Sequence, residues 1–382
     1  MKRYLYLSII VASLWACKHT TNHDEAQKII NFAQSIDENP AELFELVFIK
    51  LETNDNSLVG NFVAQIEVVH EKLIILTGGR HINLLVFDLS GKFDRSIGKV
   101  GRGPGEYIVP ISFSINYNDN VISVIDIAQK KIISYSLDNY KFLFDNMMEY
   151  DSFCFEFLSN DKILWKNANY QDNMSDWNFI ITDLKQHFLN KYVRRDFVTG
   201  YFTGPTKSIY KSEETVFAYT QYNPIIYQFF NDEVIPAYKI KFGKHQLPPL
   251  EYLLKVSTNN NNFIAELNAS NYISYYCVFD AANTLGIFYS VSQNPYIGIF
   301  DKDKKRVYHY SKDNFQDMLK IGEMERPIGT IGDYVVSMLY PSHLLEKLTE
   351  GYVLDKKLHS MVSESQVDDN PFLFLFKLKD IL

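Results

Sequence analysis

Six eight-residue runs share one character along this chain: INLLVFDL (82–89), KIISYSLD (131–138), WNFIITDL (177–184), PIIYQFFN (224–231), PYIGIFDK (295–302) and PFLFLFKL (371–378). Each mixes β-branched and aromatic residues, which pack well on a pleated surface and mark strands. Their starts lie 49, 46, 47, 71 and 76 residues apart, a spacing that belongs to a repeated supersecondary unit. A second apolar run precedes each of them: LIILT (73–77), VISVIDI (121–127), KILWK (162–166), TVFAY (215–219), LGIFYSV (285–291) and YVVSML (334–339). Short acidic or Asn turns, such as Asp119-Asn120, Asn160-Asp161 and Glu213-Glu214, stand before most of these, as they do between adjacent antiparallel strands. A further turn and strand follow the repeated run. The clearest case is FDLSGKFDRSIG (87–98), where Ser90-Gly91 turns the chain.

Four strands per unit, a unit of about 47 residues and six units predict an all-β fold, a six-bladed β-propeller with four-stranded blades. Asn-Pro opens the third strand three times, at Asn223-Pro224, Asn294-Pro295 and Asn370-Pro371, where proline is tolerated as the first strand residue. The chain ends at Leu382, before a fourth strand for the sixth unit, while the N-terminal side has a spare strand, LFELVFIKLET (43–53). The N-terminal strand is therefore expected to close the ring by pairing with the C-terminal blade, which removes open edges. Two insertions break the pitch. Residues 244–270 read as a short helix (LPPLEYLLKV) and an Asn-rich loop, and residues 341–370 carry helical segments between the second and third strands of the last blade. Either insertion could pack on the ring or cover a site.

Composition agrees with this pattern. Of 382 residues, 46% are hydrophobic and 15% aromatic, enough for a large core and incompatible with a disordered or disulfide-scaffold chain. The formal charge, 38 − 46 = −8, excludes nucleic acid as a non-specific partner, since that requires a basic stripe. Cys154 and Cys277 lie in apolar strand-like runs and are expected as buried free thiols. No CxxC, HExxH or paired-Cys spacing occurs among 3 Cys and 9 His.

Residues 1–17, MKRYLYLSIIVASLWAC, place Lys2 and Arg3 before an apolar stretch from Tyr4 to Ala16. That stretch is too short to span a bilayer, which takes roughly 20 apolar residues as a helix, so it reads as a secretory signal peptide. Leu14-Trp15-Ala16-Cys17 resembles a bacterial lipobox, with Trp15 where a small residue is usual. Residues 1–16 are thus expected to be the signal and 17–42 a lipidated Cys17 with its tether. Residues 43–382 are expected to form the propeller. Acyl chains on Cys17 would make the membrane a partner of an exported outer-membrane lipoprotein, periplasmic or surface facing. An ordinary cleaved signal with an incidental Cys17 is the alternative. Removing residues 1–16 changes the charge to 36 − 46 = −10.

The segment Ile97-Gly98-Lys99-Val100-Gly101-Arg102-Gly103-Pro104-Gly105-Glu106-Tyr107 resembles a signature of the six-bladed β-propeller lipoproteins of Bacteroides-type bacteria, which are similar to NHL-repeat propellers. Leu51-Glu52-Thr53, Phe242-Gly243-Lys244 with Leu247-Pro248, and Asp369-Asn370-Pro371 extend the resemblance over nearly the whole mature chain. It implies the fold and an envelope location. It carries over no catalytic residue.

In a propeller, loops between second and third strands share a face with the connections between blades. That face is the expected ligand surface. Its candidates are Arg80, His81, Arg102, Glu106, Tyr222, Asn223 and Asn294, a mixture of cations, amides and an aromatic suited to a glycan, a peptide or a protein partner. The glycine-rich connector could present Arg102 and Glu106 to a ligand, or Glu106 could bind neighbouring backbone N–H groups. Arg80 and His81 could form a pair at the channel mouth or a solvated turn. Glu67, His70 and Glu156 fall on expected innermost strands and could line the channel, where propeller hydrolases hold calcium with carboxylates and amides. Asp301-x-Asp303 lacks the Gly and terminal Glu of a calcium loop and reads as a turn. Three readings remain open: a binding or scaffold module with no cofactor, a hydrolase or lyase using a divalent ion in the channel, and a subunit of a larger outer-membrane assembly.

Overall fold

The computed structural model describes residues 28–379 apart from 160, 169–174, 198–206, 213–214, 231–232 and 259–261. Six four-stranded antiparallel sheets follow one another along the chain and form the six blades of a β-propeller. Blade one comprises Val63–Val69, Lys72–Thr77, Leu84–Asp88 and Phe93–Ser96, ordered outward from the axis. Blades two to five repeat this order over residues 110–147, 152–194, 209–241 and 273–311. The alternation of β-branched and aromatic residues gives each strand two apolar faces, because blades stack face to face around the ring. Six apolar clusters result, one between each pair of neighbouring blades.

Blade six takes Gly329–Ile331, Tyr334–Leu339 and Phe372–Leu378 from the C-terminal part of the chain. Its outermost strand is Phe44–Lys50, antiparallel to Phe372–Leu378 with Phe44 opposite Leu378 and Lys50 opposite Phe372. The spare N-terminal strand therefore closes the ring. Asn370 locks the junction: its amide donates to the carbonyls of Glu52 and Ser57 at 2.8 Å each, and its carbonyl oxygen accepts from Val59 N at 2.9 Å.

The N-terminal segment reaches further than the tether reading of 17–42 expects. Lys28–Asn31 adds a parallel strand outside Glu233–Lys241 of blade four. The chain then crosses the outer strand of blade five, where Ile36 N donates to Val307 O at 2.8 Å and Tyr310 Oη to Glu38 O at 2.8 Å. After a short helix, Pro40–Leu43, it enters blade six. One strap thus runs along the outer edges of three consecutive blades.

Phe32 pins the strap. Its ring stacks on His309 at 5.1 Å and 8°, and it fills a hole that exists because residue 298 is glycine: a Cβ there would lie 2.1 Å from Phe32 Cζ. Behind it, the Tyr289 hydroxyl bridges His245 Nδ1 and His309 Nε2 at 2.8 Å each. A neutral imidazole can accept from that hydroxyl or donate to it, whereas a protonated ring can only donate. Burial, reinforced by His245, lowers the His309 pKa from 6.5 to about 4. The unfolded chain binds the proton first, so stability is complete above about pH 6.5 and is lost as pH falls towards 4. Partial exposure of the ring keeps the expected loss to roughly 2 kcal/mol. Urea titrations at pH 7 and pH 4.5 check it, and His309→Gln should flatten that part of the pH profile.

Both insertions are helical. Leu250–Ser257 and Phe263–Ala269 lie between blades four and five, the second helix standing where the sequence reads as loop. Pro341–Thr349 and Lys356–Ser363 lie between the second and third strands of blade six. A further helix, Lys312–Leu319, joins blades five and six, capped by Ser311. Phe315, Leu344 and Leu358 bury the last three of these helices against blades five and six. Both insertions and this connecting helix occupy the face of the second-to-third loops and inter-blade connections. Among the described residues, no helix is long and apolar enough to cross a membrane. Cys154 and Cys277 are buried and free, in blades three and five.

Candidate functional site

Innermost strands from all six blades surround a central channel of about 630 Å³. Its exposed lining residues, Tyr117, Asn118, Lys211 and Gly332, stand at or beyond the C-terminal ends of innermost strands or in the turns that follow them. The mouth therefore opens on the face of the short first-to-second turns, away from the helical insertions. This is opposite to the face the sequence favours for a ligand.

Three carboxylates and three cations line the channel: Glu67, Glu156, Asp280, Lys207, Lys211 and Arg326. Gln65 of blade one is clamped to blade two, donating to Phe113 O at 2.7 Å and accepting from Phe113 N at 3.0 Å. It donates in turn to Glu67 Oε1 at 2.7 Å. Lys207 of blade four reaches across the axis, paired with Glu67 and 3.8 Å from Glu156 Oε2. Glu156 Oε1 accepts from Ser114 Oγ at 2.5 Å. Burial raises the Glu156 carboxyl to about 7 against the opposing pull of Lys207, and the Glu67 charge adds to the rise. The Lys207 ammonium is held above its usual range by the two glutamates, which outweigh its own burial.

The other half of the wall is formed by blades four to six. Arg326 donates to Tyr275 Oη at 2.7 Å and lies over that ring at 5.5 Å. The Tyr210 hydroxyl is buried without a hydrogen-bond partner among the described residues. Asp280, 1% exposed, is paired with Lys302. With Asp280 answered by Lys302 from outside the lining, Lys207, Lys211 and Arg326 stand with Glu67 and Glu156 around the channel. At the mouth, Tyr117 is 51% exposed and its ring lies 6.0 Å from Lys211 Nζ, an aromatic platform beside a cation.

Of the channel residues expected from sequence, Glu67 and Glu156 do line it. His70 does not: the strand ends at Val69, and His70 with Glu71 makes an exposed turn at φ 47° and 60°. Glu67 and Glu156 do not fit a calcium site, because the Lys207 ammonium already stands between them. Among the described residues, no group of three or more His, Cys, Asp or Glu could hold a metal ion.

The seven loop-face candidates do not gather into one site: only Tyr222 and Asn223 share a pocket. Arg80 is exposed at the tip of a blade-one loop, and His81 packs beside Gly60, with its carbonyl accepting from Thr77 Oγ1 at 2.6 Å. Glu106 is turned into its own connector: Oε2 accepts from Gly103 N at 2.8 Å, and Lys99 lies 3.2 Å from Oε1. The Gly103 N–H and then Lys99 lower its pKa. Gly105, at φ +71°, passes so close to Phe142 that a Cβ would lie 2.7 Å away, and its carbonyl accepts from Tyr135 Oη at 3.0 Å. Tyr107 Oη accepts from Leu84 N at 3.1 Å and donates to Ile97 O at 3.2 Å. The glycine-rich segment is therefore a latch between blades one and two, with Arg102 pointing to solvent. Asn294 begins a blade-five strand and donates to Ser292 O at 3.1 Å. Tyr222 and Asn223 line one small pocket between blades three and four. Cys17 lies outside the described residues.

Lys207, Lys211, Tyr275 and Arg326 are not singled out by sequence. One signal for the two lysines was present: KSIYKS (207–212) stands two residues before the second-strand run of the fourth unit, which makes Ile209–Ser212 the innermost strand.

A ring of six antiparallel blades around a charged channel defines a β-propeller protein. The chain belongs to the DUF5128 family, described as 6-bladed beta-propeller, whose model matches residues 17–338. A solved structure from Bacteroides fragilis, titled "Putative exported protein", is 37% identical, with a TM-score of 0.89 over 92% of this chain and 100% of that one. A DUF4221 member from Bacteroides vulgatus, 12% identical, shares the fold at a TM-score of 0.51, over 89% of this chain and 100% of that one. No curated protein matches the sequence.

Proposed function

We propose that this is an exported, envelope-tethered binding propeller that takes a carboxylated glycan or acidic peptide into its central channel. The carrying observation is the channel itself: about 630 Å³, with Lys207, Lys211 and Arg326 converging on it and Asp280 answered by Lys302. A carboxylate entering there meets cations and the Tyr117 ring, without displacing a resident metal. Export is supported by the N-terminal apolar stretch and by the similarity to the B. fragilis protein. Tethering rests on Cys17 at the end of that stretch. Intact-protein mass spectrometry of the wild type and Cys17→Ser from membranes tests it: an acylated Cys17 supports the tether, an unmodified one removes it.

Calorimetry with an oligogalacturonate and its methyl ester tests the ligand class. The acid form is expected to bind, and Lys211→Met and Arg326→Met should each weaken it about tenfold, or about 1.4 kcal/mol. Arg80→Ala and Arg102→Ala should leave it unchanged. Affinity should also rise between pH 8 and pH 6 as Glu156, beside Glu67, Lys207 and Lys211, takes up a proton at about 7. Equal binding of acid and ester, or loss on Arg80→Ala alone, would refute the channel as a carboxylate site.

A further inference from the structure

A second pocket, about 120 Å³, opens between blades three and four beneath helix Leu250–Ser257. Lys166 lines it. It stands opposite Phe179 in the strand register, and its Nζ lies 4.8 Å from the Phe179 ring centroid. Among the described residues no acceptor or carboxylate pairs with this amine, although Asp196 lines the same pocket. Arg195 stands beside it, Nη2 donating to Asn167 O at 2.8 Å and Trp177 O at 3.2 Å. Asn178, Gln221 and Asn223 also line this pocket.

A half-buried amine next to another cation, with no carboxylate paired to it, is the environment that turns lysine into a nucleophile. Burial, with Arg195 adding to it, brings the Lys166 ammonium down to about 7. Substantial free amine is then present at neutral pH.

We propose that Lys166 captures a small carbonyl compound bearing a carboxylate, forming an imine at Nζ with the carboxylate turned towards Arg195. The amine lone pair adds to the carbonyl carbon, and the C=O electron pair moves to oxygen, which takes up a proton. The carbinolamine then loses water, the carbonyl oxygen leaving with the two amine hydrogens, and C=N forms. No oxidant or reductant enters. The pocket volume restricts the guest to a few heavy atoms. This site is independent of the channel and stands or falls separately from it.

The test uses the whole exported chain with glyoxylate and sodium cyanoborohydride, which reduces any imine to a stable secondary amine for peptide mass mapping. At pH 7, Lys166 should be labelled roughly tenfold faster than exposed lysines. Its labelling rate should level off above about pH 7, while rates at exposed lysines still climb. Lys166→Arg, shown folded by its melting curve, should lose that label alone. Acetaldehyde, which lacks the carboxylate, should react more slowly at Lys166. Labelling of Lys166 no faster than exposed lysines would overturn the proposal, as would equal rates with glyoxylate and acetaldehyde.

Discussion

Deleting residues 43–53 should abolish soluble folding. The segment holds Phe44–Lys50, the whole outermost strand of blade six. Its loss exposes one side of Phe372–Leu378, an apolar strand whose first five residues are all buried, and converts it into a long hydrophobic edge. Phe44 and Phe48 are themselves 2% and 6% exposed, and burying each contributes roughly 2 kcal/mol or more. Those terms and the lost ladder together approach the total stability of an ordinary domain, about 5–15 kcal/mol. Size-exclusion chromatography and thermal melting check the outcome, and a monodisperse, cooperatively melting deletion mutant would contradict it. Grafting the segment behind Leu382 through a short glycine turn should restore folding, because the pairing is antiparallel.

Asn370→Ala should be the most damaging single polar substitution, costing about 3 kcal/mol. Asn370 is 3% exposed, and its side chain makes three hydrogen bonds to backbone groups of residues 52–59. Alanine would strand the N–H of Val59, which is fully buried, and leave the carbonyls of Glu52 and Ser57 unmet. Chemical denaturation of the folded variant measures the loss. Asn294→Ala is the internal control: the same Asn-Pro pattern there caps an exposed turn, so its cost should stay within about 0.5 kcal/mol.

That contrast marks where the sequence is legible. Strands pack on both faces, so their β-branched and aromatic runs repeat at the pitch of a blade, and all six second-strand runs became second strands. Ring closure was legible as an unmatched strand at each end of the chain. Side-chain partners were not. Asn223, Asn294 and Asn370 share a motif but meet different neighbours, because only the last faces a buried connection from the far end of the chain. Lys207 and Glu67 are separated by 140 positions, and no local pattern announces a pair made across the axis of a ring. The strand Lys28–Asn31 escaped notice for a related reason. At four residues it has no period of its own, and only the outer edge of blade four tells it what to become.

The N-terminal strap also has a mechanical consequence. If Cys17 is fixed in a membrane, any drag on bound ligand is transmitted through residue 28, and the eleven-residue span between them reaches at most about 40 Å. The load falls first on the four-residue parallel strand, next on the Phe32 plug and then on the contacts at Ile36 and Glu38. Only after these yield does force arrive at the seven-residue pairing that closes the ring. The strap therefore behaves as a series of sacrificial bonds, able to part and re-form while the closure strand stays seated. Pulling single molecules from the N-terminus should accordingly show a small early extension well before the ring opens.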